Sequence, residues 1–481
     1  MRMSTPNRGS IFLLTIVLFV FFWIYNFPFF WKLPPQGSHI WRQSDCMAMV
    51  NNFKENKLPF FQPETYNLQS EQGKCAGEFP ILYYIAAKFS DPTYALRVID
   101  SFIFILGVIA VFFIAFYFLQ DELLALLPSL LLFTSPLLVF YGNNFLSDVP
   151  ALSFAYIGWA FFFYSEGRKS KVIFLLALVF FVFSVLLKAS QLLNFAILFI
   201  YLFAYKKEAK FSSLFSLCLF ALIPVAWYAY AKWYNAQHHD TYYFLGIYPI
   251  WKLSVYEIGL CIWRMTMSWG KNYFWPTTSV LLIIASALLW KHKNKLHPEL
   301  RLLLLYSFLF TTLYILLYFQ RMIRHEYYYV AFYVFVLFFL ISLLLLYKKF
   351  YAENIFSHTA LFLFLIPNLV FCNYYIHEKL KDNRPNAVLS SSGFQYFLEK
   401  NGVTKDKMVL ILPDISTNIT LNQIHRKGYT AYNTIDEVLK QHKADFILLG
   451  DSSLITNMRK YIATDTAATY REMFLYRLKK E

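Results

Sequence analysis

Eleven apolar runs, each close to the length that crosses a bilayer, divide this 481-residue chain and leave few folds open to it. A helix needs about 20 apolar residues to traverse the hydrocarbon core, with roughly 17 to 25 usable. The runs cover 11–31, 101–119, 123–141, 149–165, 172–187, 189–205, 211–231, 272–290, 302–320, 327–347 and 355–376. Composition agrees, with 58% hydrophobic and 15% charged residues, where a soluble domain carries about 25% charged. Gly and Pro show no period and five Cys are too few for a disulfide scaffold, so collagenous, low-complexity and disulfide-rich classes fall away. A polytopic membrane protein remains. The net charge of +15 sits largely in short Lys/Arg clusters between apolar runs, which orient helices, so nucleic acid is not an expected partner.

Those clusters fix an expected orientation. With a cytoplasmic N-terminus, the inner loops hold Arg168, Lys169 and Lys171, then Lys206, Lys207 and Lys210, then Lys291, Lys293, Lys295 and Arg301, then Lys348 and Lys349. The short outer loops hold only Lys188, Arg321 and Arg324. This asymmetry obeys the positive-inside rule and, with eleven spans, puts the C-terminus outside. The first run follows Arg2 and Arg8 but is too long for a cleavable signal, so it reads as an anchor.

Three outer stretches exceed turn length: 32–93, 232–271 and the tail 377–481. Within the first, 79–89 is apolar but too short to span, which suits an interfacial or re-entrant helix. The tail alternates strand-like runs (408–412, 446–449) with helix-like ones (394–400, 435–441, 453–461), predicting a small α/β domain. The expected organisation is an all-α membrane domain over 1–376 and an extracytoplasmic α/β domain over 377–481. The tail is expected to serve acceptor recognition or stability and to supply no catalytic group, since Asp414, Asp436 and Asp451 fall at ordinary element boundaries.

Ionisable residues at membrane depth are costly and therefore informative. On this topology four polar groups share the outer interface: His39, Trp41, Arg42, Gln43 and Asp45; Asn143, Asn144 and Asp148; Lys188; and Arg321, Arg324, His325 and Glu326, with Tyr328 following. Carboxylates facing fixed cations suit activation of a hydroxyl and retention of a phosphate, so transfer from a lipid phosphate is the chemistry suggested. Blander roles compete. Asp148 is well placed to cap the fourth span, Lys188 to snorkel, the two arginines to bind headgroups, and the 327–329 tyrosines to form an interfacial belt. His238, His239 and Asp240 look like a metal cluster, but adjacent residues rarely converge on one ion, and no cofactor is expected. Cys46 and Cys75 share the first loop and are a candidate disulfide for an oxidising compartment.

The run from His39 through Ile40, Trp41, Arg42, Gln43, Ser44 and Asp45, followed by Asn51, Asn52 and Phe53 and by Glu78, Phe79 and Pro80, resembles the first outer loop of bacterial membrane glycosyltransferases related to protein O-mannosyltransferases and the lipid A aminoarabinose transferase. Residues 144–150, Lys188 and 324–329 are similar to later landmarks of that group. The resemblance implies a C-type glycosyltransferase fold over about 10–376 and a sugar donor on a polyprenyl phosphate. It implies Asp45 as general base and Asp148 as the second acidic position. Lys188 and the Arg324-His325 segment are then expected to meet the donor phosphate, with Arg321 a further candidate, and His39, Arg42, Gln43 and Tyr328 are expected to bind substrate. Cys46 stands where Glu is common, which sets aside roles needing two adjacent carboxylates, a metal site among them. The expected activity is transfer of one sugar to a lipid, glycan or protein hydroxyl at the outer face, with inversion. The competing expectations are a flippase for lipid-linked sugars and a polymerase or ligase using a diphosphate donor.

Overall fold

The computed structural model describes residues 6–205, 211–243, 246–351, 355–463 and 467–479, so Lys206, Lys207 and Lys210 lie outside the described residues. The chain divides into two compact units: Met1–Trp31, Arg97–Trp227 and Gly246–Lys379 form the first, and Lys32–Leu96, Tyr228–Leu245 and Leu380–Glu481 form the second.

The first unit is helical. Among the described residues five helices are long and apolar enough to cross a membrane: Pro92–Leu119, Phe211–Gln237, Pro298–Tyr318, Glu326–Phe350 and Thr359–Lys379. A sixth span is counted if the bent pair Val255–Asn272 and Pro276–Lys295 is one crossing. Each of the other expected runs is also helical; most are shorter or interrupted, while 149–165 lies within the unbroken helix Asp148–Arg168. The 123–141 run is two helices, Glu122–Leu132 and Pro136–Tyr141, because Pro136 cannot donate to the preceding turn and Ser135 caps the new helix at Leu138. Asp148–Arg168 and Lys171–Leu187 form a tight antiparallel pair. Much of 232–271, expected as an outer loop, is helix: Phe211–Gln237 overruns its predicted end, and Val255–Trp269 starts with a Ser254/Glu257 capping box.

The second unit joins the first outer stretch to the tail. Its sheet has strands β1 (Val409–Leu412), β2 (Gly428–Thr430), β3 (Phe446–Leu449), β4 (Ala468–Tyr470) and β5 (Met473–Arg477), in the order β2-β1-β3-β5-β4. β1 is parallel to β2 and β3, whereas β5 runs antiparallel to β3 and β4. β1, β3 and the helices Ser392–Lys400 and Ile435–Lys440 fall where the hydropathy pattern predicts. β2, β4 and β5 do not, being only partly buried and set by pairing. At Gly428 a Cβ would come within 1.9 Å of the Val409 carbonyl oxygen, so β2 can lie against β1 only with glycine there.

Residues 66–68 extend this sheet: Gly428 donates to the Tyr66 carbonyl at 3.0 Å and Leu68 donates back to Gly428 at 2.9 Å. Ala48, from the helix Ile40–Glu55, and Tyr66 are buried in the same core as Phe394, Leu398, Val409, Ile411 and Leu421. The apolar 79–89 stretch contains the short helix Ile81–Ala86.

Candidate active site

Asp45 lies in the second turn of the helix Ile40–Glu55 and is 0% exposed. A buried carboxylate needs donors, since desolvation without compensation costs several kcal/mol. Oδ1 accepts from the Thr417 hydroxyl at 2.6 Å and from Asn418 Nδ2 at 2.8 Å; Oδ2 accepts from the Tyr242 hydroxyl at 2.8 Å. Burial still pushes its carboxyl above the usual range, while Arg42 and the three hydrogen bonds pull it back. Arg42 and the three donors thus offset part of the cost of burying this carboxyl.

Around it, Arg42 pairs with Glu78 and lies 5.5 Å from the Tyr243 ring centroid. Gln43 is spent on the loop that enters the helix, donating to the Gln36 and Ser38 carbonyls at 2.8 Å. His39 stands just before the first turn, at φ 58°. Cys46 and Cys75 are both buried free thiols, without the disulfide considered above. Burial pushes Cys46 up to about 12, so it is a neutral thiol receiving the Tyr83 hydroxyl at 3.1 Å. His238 instead pairs with Glu71 at 3.2 Å, while Asp240 accepts from Gln69 and from the Tyr242 and Tyr243 amides. Among the described residues no three His, Cys, Asp or Glu side chains converge as a metal site.

The helical unit carries a second polar cluster. Lys188 ends the helix Lys171–Leu187 and reaches both Asp148 carboxylate oxygens at 3.2 Å. Asp148 is the first residue of its helix and Ser147 holds the cap position, so Asp148 serves as an ion-pair partner rather than as the cap. The Lys188 ammonium is 5.4 Å from the Tyr327 ring, and the His325 ring lies 5.4 Å from Tyr327 and 5.9 Å from Tyr328. Arg321 does not join them: it stacks at 3.9 Å over Tyr248, and Arg324 is exposed. Glu326 is 1% exposed and forms a network of its own with the Lys379 ammonium, the Tyr141 hydroxyl (2.8 Å) and Asn272 (2.6 Å). That network anchors the Glu326–Phe332 turn on which Tyr327 and Tyr328 stand.

Thr417, Asn418, Tyr242 and Lys379 were not picked out from the sequence. Nothing local marks Tyr242 or Lys379. Thr417 and Asn418 follow a parallel strand, and the carboxyl ends of such strands are where α/β sheets place functional loops, so that signal was there to be read.

At the level of sequence, no family model and no curated protein matches the chain. The fold does have counterparts. ArnT from Cupriavidus metallidurans bound to undecaprenyl phosphate matches with a TM-score of 0.60 at 11% identity, over 98% of each chain. The mycobacterial arabinofuranosyltransferase AftD matches at 0.55 and 12% identity, over 99% of this chain and 40% of that one. The oligosaccharyltransferase of Archaeoglobus fulgidus matches at 0.50 and 11% identity, over 93% and 68%. The chain is a multi-pass membrane protein with the C-type fold of membrane glycosyltransferases. Among these counterparts ArnT, an aminoarabinose transferase, corresponds to it nearly end to end.

Proposed function

We propose that this protein transfers a single sugar from a polyprenyl-phosphate carrier to an acceptor hydroxyl at the extracytoplasmic face of a bacterial inner membrane. The observation that carries the reading is the end-to-end fold match to a transferase that holds undecaprenyl phosphate. Asp45 is the base. It takes the acceptor proton as the acceptor oxygen attacks the anomeric carbon from the side opposite the carrier. The carbon–oxygen bond to phosphate breaks, its electron pair leaves on the phosphate, and configuration inverts. A phosphate needs no acid to leave but does need its charge held, and Lys188 supplies a cation for that, with the His325 ring in the same cluster. Asp148 orients Lys188, and Tyr327 and Tyr328 flank it.

The topology proposed with this chemistry has eleven crossings, a cytoplasmic N-terminus and an extracytoplasmic tail, following the Lys/Arg asymmetry. Mass spectrometry of envelope glycans and lipid-linked sugars in a deletion strain tests the function. An accumulated polyprenyl-phosphate sugar together with one glycan lacking that sugar is the expected result. Unchanged glycans and carriers overturn the reading, whereas a carrier trapped inside with its transfer chemistry intact points to a flippase.

A further inference from the structure

We propose that Thr417 and Asn418, on the loop leaving β1, are positioning residues for Asp45: they hold Oδ1 and leave Oδ2 as the proton-accepting atom, at the place now taken by the Tyr242 hydroxyl. This rests on Asp45 being the base. A carboxylate has about four lone-pair sites, two on each oxygen. On Oδ1 both are filled, by Thr417 at 2.6 Å and Asn418 at 2.8 Å, and on Oδ2 Tyr242 fills one at 2.8 Å. A base must stand roughly 2.6 to 3.2 Å from the hydroxyl it deprotonates. The Tyr242 hydroxyl already meets that distance, so it marks where an acceptor hydroxyl binds and what must swing away first.

The two donors on Oδ1 differ from Tyr242 in how firmly they are set. Asp414 accepts from the Ser416 amide at 2.8 Å and the Thr420 amide at 3.0 Å, closing the loop on itself. The Thr417 carbonyl receives Asn67 Nδ2 at 2.8 Å and the Asn418 side-chain oxygen receives the Asn67 amide at 3.0 Å, tying the loop to the 66–68 edge. Thr430 on β2 donates to the Ser416 carbonyl. The Thr417 and Asn418 side chains thus come from a framework fixed on three sides. Besides Asp45, the Tyr242 side chain meets the Thr417 side chain and two rings, 5.1 Å to Tyr243 and 5.7 Å to Tyr432.

The other titratable groups that face Asp45 are Arg42, Cys46, Cys75, Tyr242 and Tyr243, with Glu78 behind Arg42. Arg42 and the hydrogen-bond donors favour the ionised carboxylate, so deleting a donor raises its pKa and demands a higher pH for the basic form.

The test is the pH profile of kcat/KM for the purified full-length protein with a polyprenyl-phosphate sugar donor. Asp45→Asn comes first, because retained transfer in that variant removes the base and this inference together. With Asp45→Asn inactive, Thr417→Val and Asn418→Ala should each move the acid limb up by about one to two pH units, the size of a hydrogen bond to a charged group. Thr417→Ser, which keeps the hydroxyl, should restore the parental limb. Acid limbs unmoved in both Thr417→Val and Asn418→Ala overturn the positioning role while the base reading stands. Tyr242→Phe should increase donor hydrolysis by water, which then reaches Oδ2, and an unchanged hydrolysis rate places the working oxygen elsewhere.

Discussion

The two polar clusters are built in opposite ways. Asp45 is fixed by donors drawn from distant parts of the chain, with Thr417 and Asn418 372 and 373 residues away and Tyr242 197. Lys188 is fixed by Asp148, 40 residues away, across two helices that pack as one hairpin. The first cluster depends on a completed soluble sheet, the second on a single local pairing. A base must be held to a fraction of an ångström, whereas a cation beside a phosphate acts through a longer-ranged field and tolerates looser support.

Breaking each cluster should therefore give different signatures. The largest effect belongs to Asp45→Asn, which keeps shape and removes the basic charge. Transfer should fall roughly 10²- to 10⁴-fold with the protein still in the membrane, as read by radiolabelled sugar transfer and by yield in detergent. Parental turnover would reject the base.

Lys188→Ala comes next. Loss of a charged phosphate contact should raise donor KM about ten-fold, and it also leaves Asp148 buried without its partner. Lys188→Ala with Asp148→Asn separates the two effects: thermal stability in detergent should recover while donor KM stays high. If both recover, the pair is structural and phosphate is held elsewhere. Asp148→Asn alone should be milder than Asp45→Asn, since its effect on donor passes through Lys188.

The smallest effect concerns the far end of the Asp45 helix. Burial pushes the Glu55 carboxyl up, but His425 at 2.8 Å and Lys405 at 3.2 Å outweigh it and hold it below the usual range. A carboxyl depressed in the folded state contributes stability above its unfolded value, about 4.3, and loses that contribution as pH falls through the folded one. Glu55→Gln should flatten the drop in thermal midpoint between about pH 5 and 3, by less than about 1 kcal/mol. An unchanged pH dependence would show that the contact does not hold this helix to the tail.

The parts of this molecule visible in its sequence are those governed by local chemistry. Apolar runs marked most helices of the membrane unit but missed Val255–Trp269, and among the described residues the full-length crossings number five or six, Pro136 dividing one of the others. The strands 409–412 and 446–449 were legible because every residue is buried, whereas β4 and β5 mix buried with partly or fully exposed positions and depend on pairing. Asp45 stood out as a lone acid in a polar run. Its donors did not, since a threonine, an asparagine and a tyrosine are ordinary residues until a fold brings them to one carboxylate. Nor did the sequence show that the Gln43 amide closes the loop beside it. The tail was expected to stay out of the chemistry because only its acids were weighed, while its neutral donors are what reach Asp45.

The edge pairing of residues 66–68 with Gly428 has a consequence for how the protein is made. A ribosome finishes the first outer stretch long before it reaches the tail, so a nascent or prematurely terminated chain displays the acid without the threonine and asparagine that steady it. Such a product has its apolar helices but lacks two of the donors that hold Asp45. Completion of the final segment is thus the step that sets the Asp45 carboxylate, and on the proposed function a fragment ending before Thr417 should bind a polyprenyl-phosphate donor without consuming it.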